Sequence, residues 1–368
     1  MTPQDQEQLT AAILTRQASK LESVGTNAPT AGLTVRTRSG QSVELKIAVD
    51  GGVNGIPGIK VEIESSGALS DEERAAVAHL ADGLDRALEG LARNDAVALD
   101  FSGLTDYDRD VLSSVDLSVK NPMTHQLLGD FSLHLGDDNK SVHLKGSDGE
   151  LNLKVDGSKP LEKALGNEGA GLQSALDRIG AAGERGRANA ALVQQMKAVF
   201  KQLHEATGTD KKDAESESAE ALAGAAAGVS GLADFEASFG GDTWRQNRAG
   251  TVNEAGQVQY QLSQKTAAKP LADGRPSGAQ TVEEQLAADF KRAPGGAMLF
   301  VSNGNFLATK IRDASTVTTL FDVAADGRMR VLRKTDAQQL RQAIDFENHR
   351  VVHRQSWPSH QRQVERLA

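Results

Sequence analysis

Two histidines form the most pointed candidate site in this 368-residue sequence. His134 and His143 lie in neighbouring stretches of alternating apolar and polar residues, and a two-residue turn at Asp138-Asn139 would place them directly across from one another. Cross-strand Cβ atoms lie about 5 Å apart, so the two imidazoles could share a metal ion. Asp116 and Asp130 are candidates for a third ligand, and an exposed histidine pair without a metal is the favoured interpretation.

An alternating run of carboxylates, Asp106, Asp108 and Asp110, resembles the start of a calcium loop, where such residues converge on a hard cation. An EF-hand loop needs glycine at its sixth position and glutamate at its twelfth, but this sequence has Val111 and Leu117 there. A solvated acidic turn is therefore the favoured interpretation, with a looser calcium site as the alternative.

The sequence lacks the usual catalytic motifs. The absence of cysteine excludes thiol nucleophiles, disulfides and thiolate metal sites. The zinc-protease H-E-x-x-H, the G-x-S-x-G elbow, the Walker loop and the dinucleotide-binding glycines are all missing. We interpret the glycine-rich segments DGGVNGIPG and GNEGAGLQSALDRIG as a strand connection and a helix break. We therefore expect no catalytic, cofactor-binding or metal-binding residue, no cofactor, and no cavity that gathers reactive side chains.

The charge balance bears on partners and location. The net charge of −9 argues against a general nucleic-acid binder, because phosphate contacts require clustered positive charge. No segment has the roughly 20 apolar residues of a membrane span. The N-terminus lacks a basic leader followed by an apolar stretch, so we predict a cytoplasmic protein or one exported without a cleaved signal.

Charge is also unevenly distributed. Residues 205–236 carry eight acidic residues and two lysines, whereas the chain from residue 326 onward carries nine Lys or Arg and five Asp or Glu. A solvated surface is the simpler interpretation of the basic C-terminal region. That region could also meet an acidic partner, including the acidic middle of the chain itself.

Periodicity predicts elements that could position these residues. A first helix covers residues 3–22, a β-hairpin covers 33–49 and a third strand lies at 59–63. Ser70 and Glu73 form a capping box before an amphipathic helix over 71–93. Strands separated by turn residues then predict an antiparallel meander over 111–155.

The second half of the chain also contains predicted helices and strands. Residues 160–207 read as helical, with weak points at 166–171 and 180–186, and LADFEASF and VQYQLSQKT read as strands. Thr281 with Glu284, and Thr335 with Gln338, predict the caps of short helices that end near Arg292 and Phe346. Hairpins are predicted around Asn303-Gly304, from segments 298–301 and 306–311, and around Asp326-Gly327, from 316–323 and 329–332, before a short strand at 351–352.

These elements predict an α+β fold, in which antiparallel sheets with hairpins pack against amphipathic helices. We expect two such units joined by a helical and acidic segment. The predicted organisation is an N-terminal helix at 1–30, an α+β domain at 31–157, a helical segment at 158–207, a flexible acidic linker at 208–220, a second α+β domain at 221–354 and a basic tail at 355–368.

The segments LTVRTRSGQSVELKI, EIESSGALSDEERAAVAHLADGLDRALEGLARNDAVALDFSGL, LADFEASF and VQYQLSQKT together resemble a group of uncharacterised bacterial proteins built from strands, a capped helix and further strands. The resemblance covers around a third of the chain. It implies a strand, capped-helix and strand architecture, and it implies no activity and no catalytic residues.

Two functional hypotheses follow from the sequence. The leading one is a non-enzymatic interaction or scaffold protein of bacterial type, whose edge strands and amphipathic helices bind another protein or a second copy of the chain. The alternative is a metal-dependent hydrolase or metal-binding module that uses His134 and His143.

Overall fold

The computed structural model describes residues 30–50, 58–92, 100–120, 129–147, 149–157, 168–208, 228–268, 271–275, 277–326 and 328–367. The helix predicted at 3–22 and nearly all of the linker predicted at 208–220 lie outside these residues. Strands account for 56% of the structure and helices for 23%. The antiparallel sheets are therefore confirmed, but the chain is mostly β and the α+β class fits only approximately. In the described ranges no helix is both long enough and apolar enough to cross a membrane.

The chain divides into two units. The N-terminal unit comprises residues 1–158 and 198–209, and the C-terminal unit comprises residues 159–197 and 210–368. Two long helices follow the first seven strands, namely α3 (Glu168–Gly186), which belongs to the C-terminal unit, and α4 (Ala190–Gly208), which contributes its first eight residues to the C-terminal unit and the rest to the N-terminal unit.

The N-terminal unit contains an antiparallel sheet with the strand order β7-β6-β5-β4-β1-β2-β3. Its strands are β1 (Thr30–Thr37), β2 (Ser42–Asp50), β3 (Gly58–Ser65), β4 (Leu112–Lys120), β5 (Asp130–Gly136), β6 (Asn139–Gly146) and β7 (Gly149–Asp156). Alternate apolar residues such as Val35, Leu117 and Leu153 are buried, because successive side chains of a strand point to opposite faces. The predicted hairpin, third strand and meander are confirmed.

Helix α1 (Asp71–Ala92) begins at the predicted capping box. The Glu73 amide donates to Ser70 Oγ at 3.1 Å, and the Ser70 amide donates to Glu73 Oε2 at 2.8 Å. Ser39, in the β1–β2 turn, adds a hydrogen bond from its hydroxyl to Glu73 Oε1 at 2.6 Å. The hydrogen bonds from Ser39 and Ser70 lower the pKa of the Glu73 carboxyl. One buried carboxylate thus joins the start of the helix to the hairpin. A short helix, α2 (Ser102–Thr105), follows.

Glu73→Ala should lower the free energy of unfolding by about 1–2 kcal/mol, because it removes a cap and leaves the Ser39 hydroxyl and the Ser70 amide without their acceptor. Urea denaturation measures this change. Glu72→Ala, one residue earlier and exposed, is the matched control and should change stability by less than about 0.5 kcal/mol. Equal effects of the two substitutions would contradict the role of the capping box.

In the C-terminal unit, six antiparallel strands follow one another in chain order. Its strands are unusually long, at 12 to 19 residues, and comprise β8 (Phe235–Gln246), β9 (Val252–Ala268), β10 (Ser277–Arg292), β11 (Phe306–Val323), β12 (Met329–Glu347) and β13 (Arg350–Arg366). The strands predicted from LADFEASF and VQYQLSQKT, and the hairpin around residues 326–327, are confirmed.

Two predicted helices are wrong. The segment from Thr281 to Arg292 belongs to β10, and the segment from Thr335 to Phe346 belongs to β12. The apolar residues Val282, Leu286 and Phe290 recur every four positions, a spacing that places them on one face of a helix and equally on one face of a strand. Hydrogen bonding to strands on both sides decides between the two structures.

Two further predictions need correction in this unit. Residues 298–301 do not form a strand but precede and enter a 3₁₀ turn, Val301–Asn303. The short strand predicted at 351–352 is the beginning of the 17-residue strand β13, which also includes residues 355–366 of the predicted basic tail. The charged composition of this segment suggested a solvated tail, but it pairs with β12 along nearly its whole length.

The helix break predicted within residues 180–186 occurs at residue 186, where α3 ends. The next residue, Arg187, adopts a left-handed backbone conformation.

In the part of α4 that belongs to the N-terminal unit, His204 is buried and stacks on Phe200 with ring centroids 4.2 Å apart. His204 Nδ1 donates to the Phe200 carbonyl at 2.8 Å. Burial lowers the pKa of His204 to about 4, with a small contribution in the same direction from Lys140.

Stability should therefore fall as the pH is lowered from about 6.5 to about 4. In that range the unfolded chain binds a proton at residue 204 and the folded chain does not, so His204 contributes a loss on the order of 3 kcal/mol. Urea denaturation at a series of pH values measures the slope, and His204→Leu should flatten it. An unchanged slope in the variant would contradict a buried neutral imidazole.

Candidate binding site

The predicted pairing of His134 with His143 is wrong. His134 lies opposite Ser141, and His143 lies opposite Ser132, because the β5–β6 turn is formed by Asp137-Asp138 rather than by Asp138-Asn139. The strand register therefore differs by two residues from the predicted one, which keeps both histidines on the polar face but places them diagonally rather than opposite each other. Each ring has its own partner: His134 Nδ1 is 2.6 Å from Asp116 Oδ1, and His143 Nδ1 is 2.7 Å from Asn152 Oδ1.

The carboxylate run at 106–110 follows helix α2 and forms a turn in which the Asp110 amide donates to Asp108 Oδ1 at 3.0 Å. Asp116 bonds His134 as described, and Asp130 lies at the start of β5. Within the described ranges, no group of three or more His, Asp or Glu side chains could hold a metal ion.

The C-terminal unit contains an open cavity of about 660 Å³ between the first half of α3 and one face of its strands. The volume lies in the range of small-molecule sites. Apolar and polar side chains contribute to the lining in similar measure. They come from α3, from the segment at 228–232 and from strands β8 to β13, and include Ser174, Arg178, Phe235, Leu262, Gln280, Val282, Val317, Thr319, Arg333, Thr335 and Glu365.

The strand register explains part of this mixed lining, because it aligns polar residues in one row across five strands. Thr266, Gln280, Thr319, Arg333 and Glu365 lie directly opposite one another on β9 to β13. On one side of this polar row Val282 lies opposite Val317. On the other side Phe321 lies opposite Val331, in an apolar cluster completed by Val229, Met329 and Leu367. The row of Val282 and Val317 also contains Gln264 and Thr335, and Val229 is the member of the apolar cluster that lines the cavity. The polar row is therefore flanked by mixed polar and apolar lining.

Two buried glutamines hold the segment that precedes β8 against the sheet. Gln264 Oε1 accepts from Ser230 Oγ at 2.6 Å, and Gln264 Nε2 donates to the Leu232 carbonyl at 3.0 Å. Gln280 Oε1 accepts from the Ser230 amide at 2.9 Å. These hydrogen bonds fix residues 230–232 in the wall of the cavity.

Three arginines attach α3 and the residue that follows it to the sheet. Arg178 Nη1 lies 2.9 Å from Glu284 Oε2 on β10, and the second Glu284 oxygen accepts from Tyr260 Oη at 3.0 Å. Burial and the neighbouring Glu284 raise the pKa of the Tyr260 hydroxyl far above its ordinary value, so it remains a donor.

Arg185 forms a two-point pair with Asp313 on β11, in which Nη2 donates to Oδ1 at 2.9 Å and Nε donates to Oδ2. Arg187 pairs with the buried Glu254 on β9. Close packing accompanies these pairs, since a Cβ at Gly186 would lie only 2.6 Å from Val258 Cγ2. Only glycine lets the end of α3 approach the sheet this closely.

Arg333 differs from these arginines because its guanidinium has no carboxylate partner among the described residues. Its Nε is buried and makes no hydrogen bond with any described residue. Its Nη2 packs beside Gly228, where a Cβ would lie 3.2 Å away and where φ is +123°. Glu365 lies opposite Arg333 in the register but accepts a hydrogen bond from Gln363 instead.

The cavity corrects the expectation that no hollow gathers ionisable groups, since Arg178, Arg333 and Glu365 meet there from distant parts of the sequence. The ionisable side chains of its described lining are these two arginines and one glutamate. Sequence reasoning missed the site because the helix predicted at 281–292 would displace Gln280 and Val282 from their rows. Continuing the alternation of VQYQLSQKT into that segment would have indicated a strand.

The second candidate surface is strand β13, which pairs with β12 and with no other strand in the described part of the chain. Nearly all of its side chains are exposed, including the large apolar residues Val351, Val352, Trp357 and Val364. Arg350, Arg354, Arg362 and Arg366 give it a positive charge. Glu365 is the one acidic residue within β13, and Asp336 on β12 pairs with Arg362.

Comparison with protein-family models, curated proteins and solved structures gives no match to this chain. The functional argument therefore depends on the geometry of the two candidate surfaces.

The attachment of α3 can be tested through Arg185, whose partner Asp313 is largely buried. Arg185→Met should lower the free energy of unfolding by about 1–3 kcal/mol, because it leaves that carboxylate without its counter-charge. Arg330→Met is the matched control, since the Arg330–Asp322 pair is more exposed and should contribute less than about 0.5 kcal/mol. Chemical denaturation compares the two variants, and equal losses would contradict the assigned role of Arg185.

Proposed function

We propose that this protein binds another protein, and that strand β13 receives an extended, acidic segment of that partner as an additional strand. The observation that carries the proposal is a long strand that has a described strand on one side only and four arginines along it. An edge strand offers a row of backbone donors and acceptors to an incoming strand, and side chains supply the selectivity.

The arrangement of charge supports an acidic partner. Arg354, Arg362 and Arg366 are separated by even numbers of residues, so they share one face of β13. An incoming strand with acidic residues at alternate positions would place carboxylates opposite these guanidiniums, and opposite charges on neighbouring strands attract. Asp336 on β12 already pairs with His360 and Arg362 on β13. Carboxylates are therefore accommodated beside this face of β13.

The same charges disfavour pairing of β13 with a second copy of itself. An antiparallel pair centred on Pro358 would place Arg354 opposite Arg362 and Arg350 opposite Arg366, and like charges directly opposite each other destabilise a sheet. Proline and charged side chains are also the features by which natural edge strands resist unselective pairing. These features support a partner of complementary charge over self-association.

The test uses a labelled twelve-residue peptide of alternating valine and glutamate, with binding measured by fluorescence anisotropy. We expect saturable binding that weakens with added salt, and a loss of about tenfold or more in the double variant Arg354→Glu/Arg362→Glu. Arg328→Glu, in the exposed turn before β12, is the control and should bind as the wild type does.

Two further peptides separate strand addition from simple charge attraction. A peptide with lysine in place of glutamate should not bind. A peptide that is N-methylated at alternate backbone positions keeps its charge but cannot donate hydrogen bonds to β13, so it should also lose binding. Undiminished binding of the N-methylated peptide would overturn the proposal, as would a concentration-dependent dimer that forms through β13 in place of peptide binding.

A further inference from the structure

We propose that the cavity of the C-terminal unit is a binding site for an amphipathic monocarboxylate, whose carboxylate pairs with Arg333 and whose apolar chain lies along Val282, Val317, Leu262 and Phe235. This inference is independent of the proposed function, which concerns the outer edge and the opposite face of β13.

The first argument is the state of Arg333. Every arginine that attaches α3 to the sheet has a carboxylate partner, and Arg333 has none among the described residues. A buried donor without an acceptor is unfavourable, and such groups in native structures usually have a functional explanation. A guanidinium presents a planar fork that matches a carboxylate with two parallel hydrogen bonds. A bound carboxylate would satisfy Nε and one terminal nitrogen together.

The second argument is the position of Arg333 within the rows of the sheet. Thr319 lies beside it on β11, and both residues line the cavity. The neighbouring row contains the apolar residues Phe235, Val282 and Val317 together with Gln264 and Thr335, and Leu262 lies one row further. Gln264 is already hydrogen-bonded to Ser230 and Leu232, so the four apolar side chains are the part of this wall left to contact a ligand. A ligand with one charged end and an apolar body fits this lining, whereas a fully polar ligand would leave the apolar wall in contact with water.

The third argument concerns the charge of the ligand. Glu365 lines the cavity opposite Arg333, and Arg178 is already neutralised by Glu284. The hydrogen-bond donors of Arg333 can accommodate one ligand carboxylate, whereas Glu365 repels every negative charge and so limits the ligand to one. A dianion such as a phosphate monoester would meet repulsion from Glu365 without a second free cation to offset it.

The experiment is isothermal titration calorimetry with dodecanoate below its aggregation concentration, using 1-dodecanol and dodecyl phosphate as comparison ligands. We expect saturable binding of one dodecanoate per chain, with affinities at least about tenfold lower for dodecanol, which lacks the charge, and lower also for dodecyl phosphate. Failure of dodecanoate to bind, or equal affinities for dodecanoate and dodecanol, would overturn the proposal.

Four variants, two of them at Arg333, locate the ligand. Arg333→Met should weaken dodecanoate binding about tenfold or more, and Glu365→Gln should strengthen it because it removes the opposing charge. Lys334→Met is the matched control on the opposite face of the same strand and should leave the affinity unchanged. Thermal unfolding shows whether Arg333→Met is folded, and if it is not, Arg333→Lys and Glu365→Gln still decide the outcome. Equal affinities in wild type, Arg333→Lys and Glu365→Gln would contradict the site.

Discussion

The ion pairs between α3 and the sheet are the interactions on which the C-terminal unit depends. A six-stranded antiparallel sheet has two faces, and an apolar face needs cover. Arg178, Arg185 and Arg187 lie along and just beyond one helix and reach acidic residues on β10, β11 and β9 in turn. These acidic side chains are buried or largely shielded, so each arginine offsets a charge that would otherwise be costly to bury. The pairs thereby fix the direction of α3 across the strands.

This attachment leaves the cavity at the other end of α3. The close approach at Gly186 brings the C-terminal end of the helix onto β9 and β10, while its first half, from Ala170 to Arg178, lines the open volume. The three paired arginines hold α3 on the strands, whereas Arg333, which has no carboxylate partner among the described residues, lines the cavity. In our proposal the same residue type therefore has two roles, which the presence or absence of a carboxylate partner distinguishes.

Local features of the sequence predict local structure well in this chain. The capping box at Ser70 and Glu73 predicts the start of α1 because both of its hydrogen bonds form within one turn. Tight turns with alternating residues on both sides likewise predict the hairpins. Structure that depends on interactions between distant segments is harder to predict from the sequence. The four-residue spacing of Val282, Leu286 and Phe290 fits a helix and a strand, and only pairing with β9 and β11 resolves it.

The candidate sites were also difficult to predict because they depend on interactions between distant segments. A one-residue error in the position of one turn shifts the strand register by two residues and was enough to place His134 opposite His143. The cavity depends on six strands and a helix, so no single motif could indicate it. The charge of the C-terminal segment was visible in the sequence, but its β conformation was not, since the segment pairs with residues that themselves read as a helix.

Amide hydrogen exchange along α3 tests the central claim most directly. If the arginine pairs hold the helix on the sheet, amides of residues 172–186 should exchange slowly in the wild type, with protection close to that of β9 and β10. The triple variant Arg178→Met/Arg185→Met/Arg187→Met should lose that protection in α3 while the β11–β12 hairpin keeps its own. Rapid exchange of α3 in the wild type, or unchanged protection in the triple variant, would contradict the account.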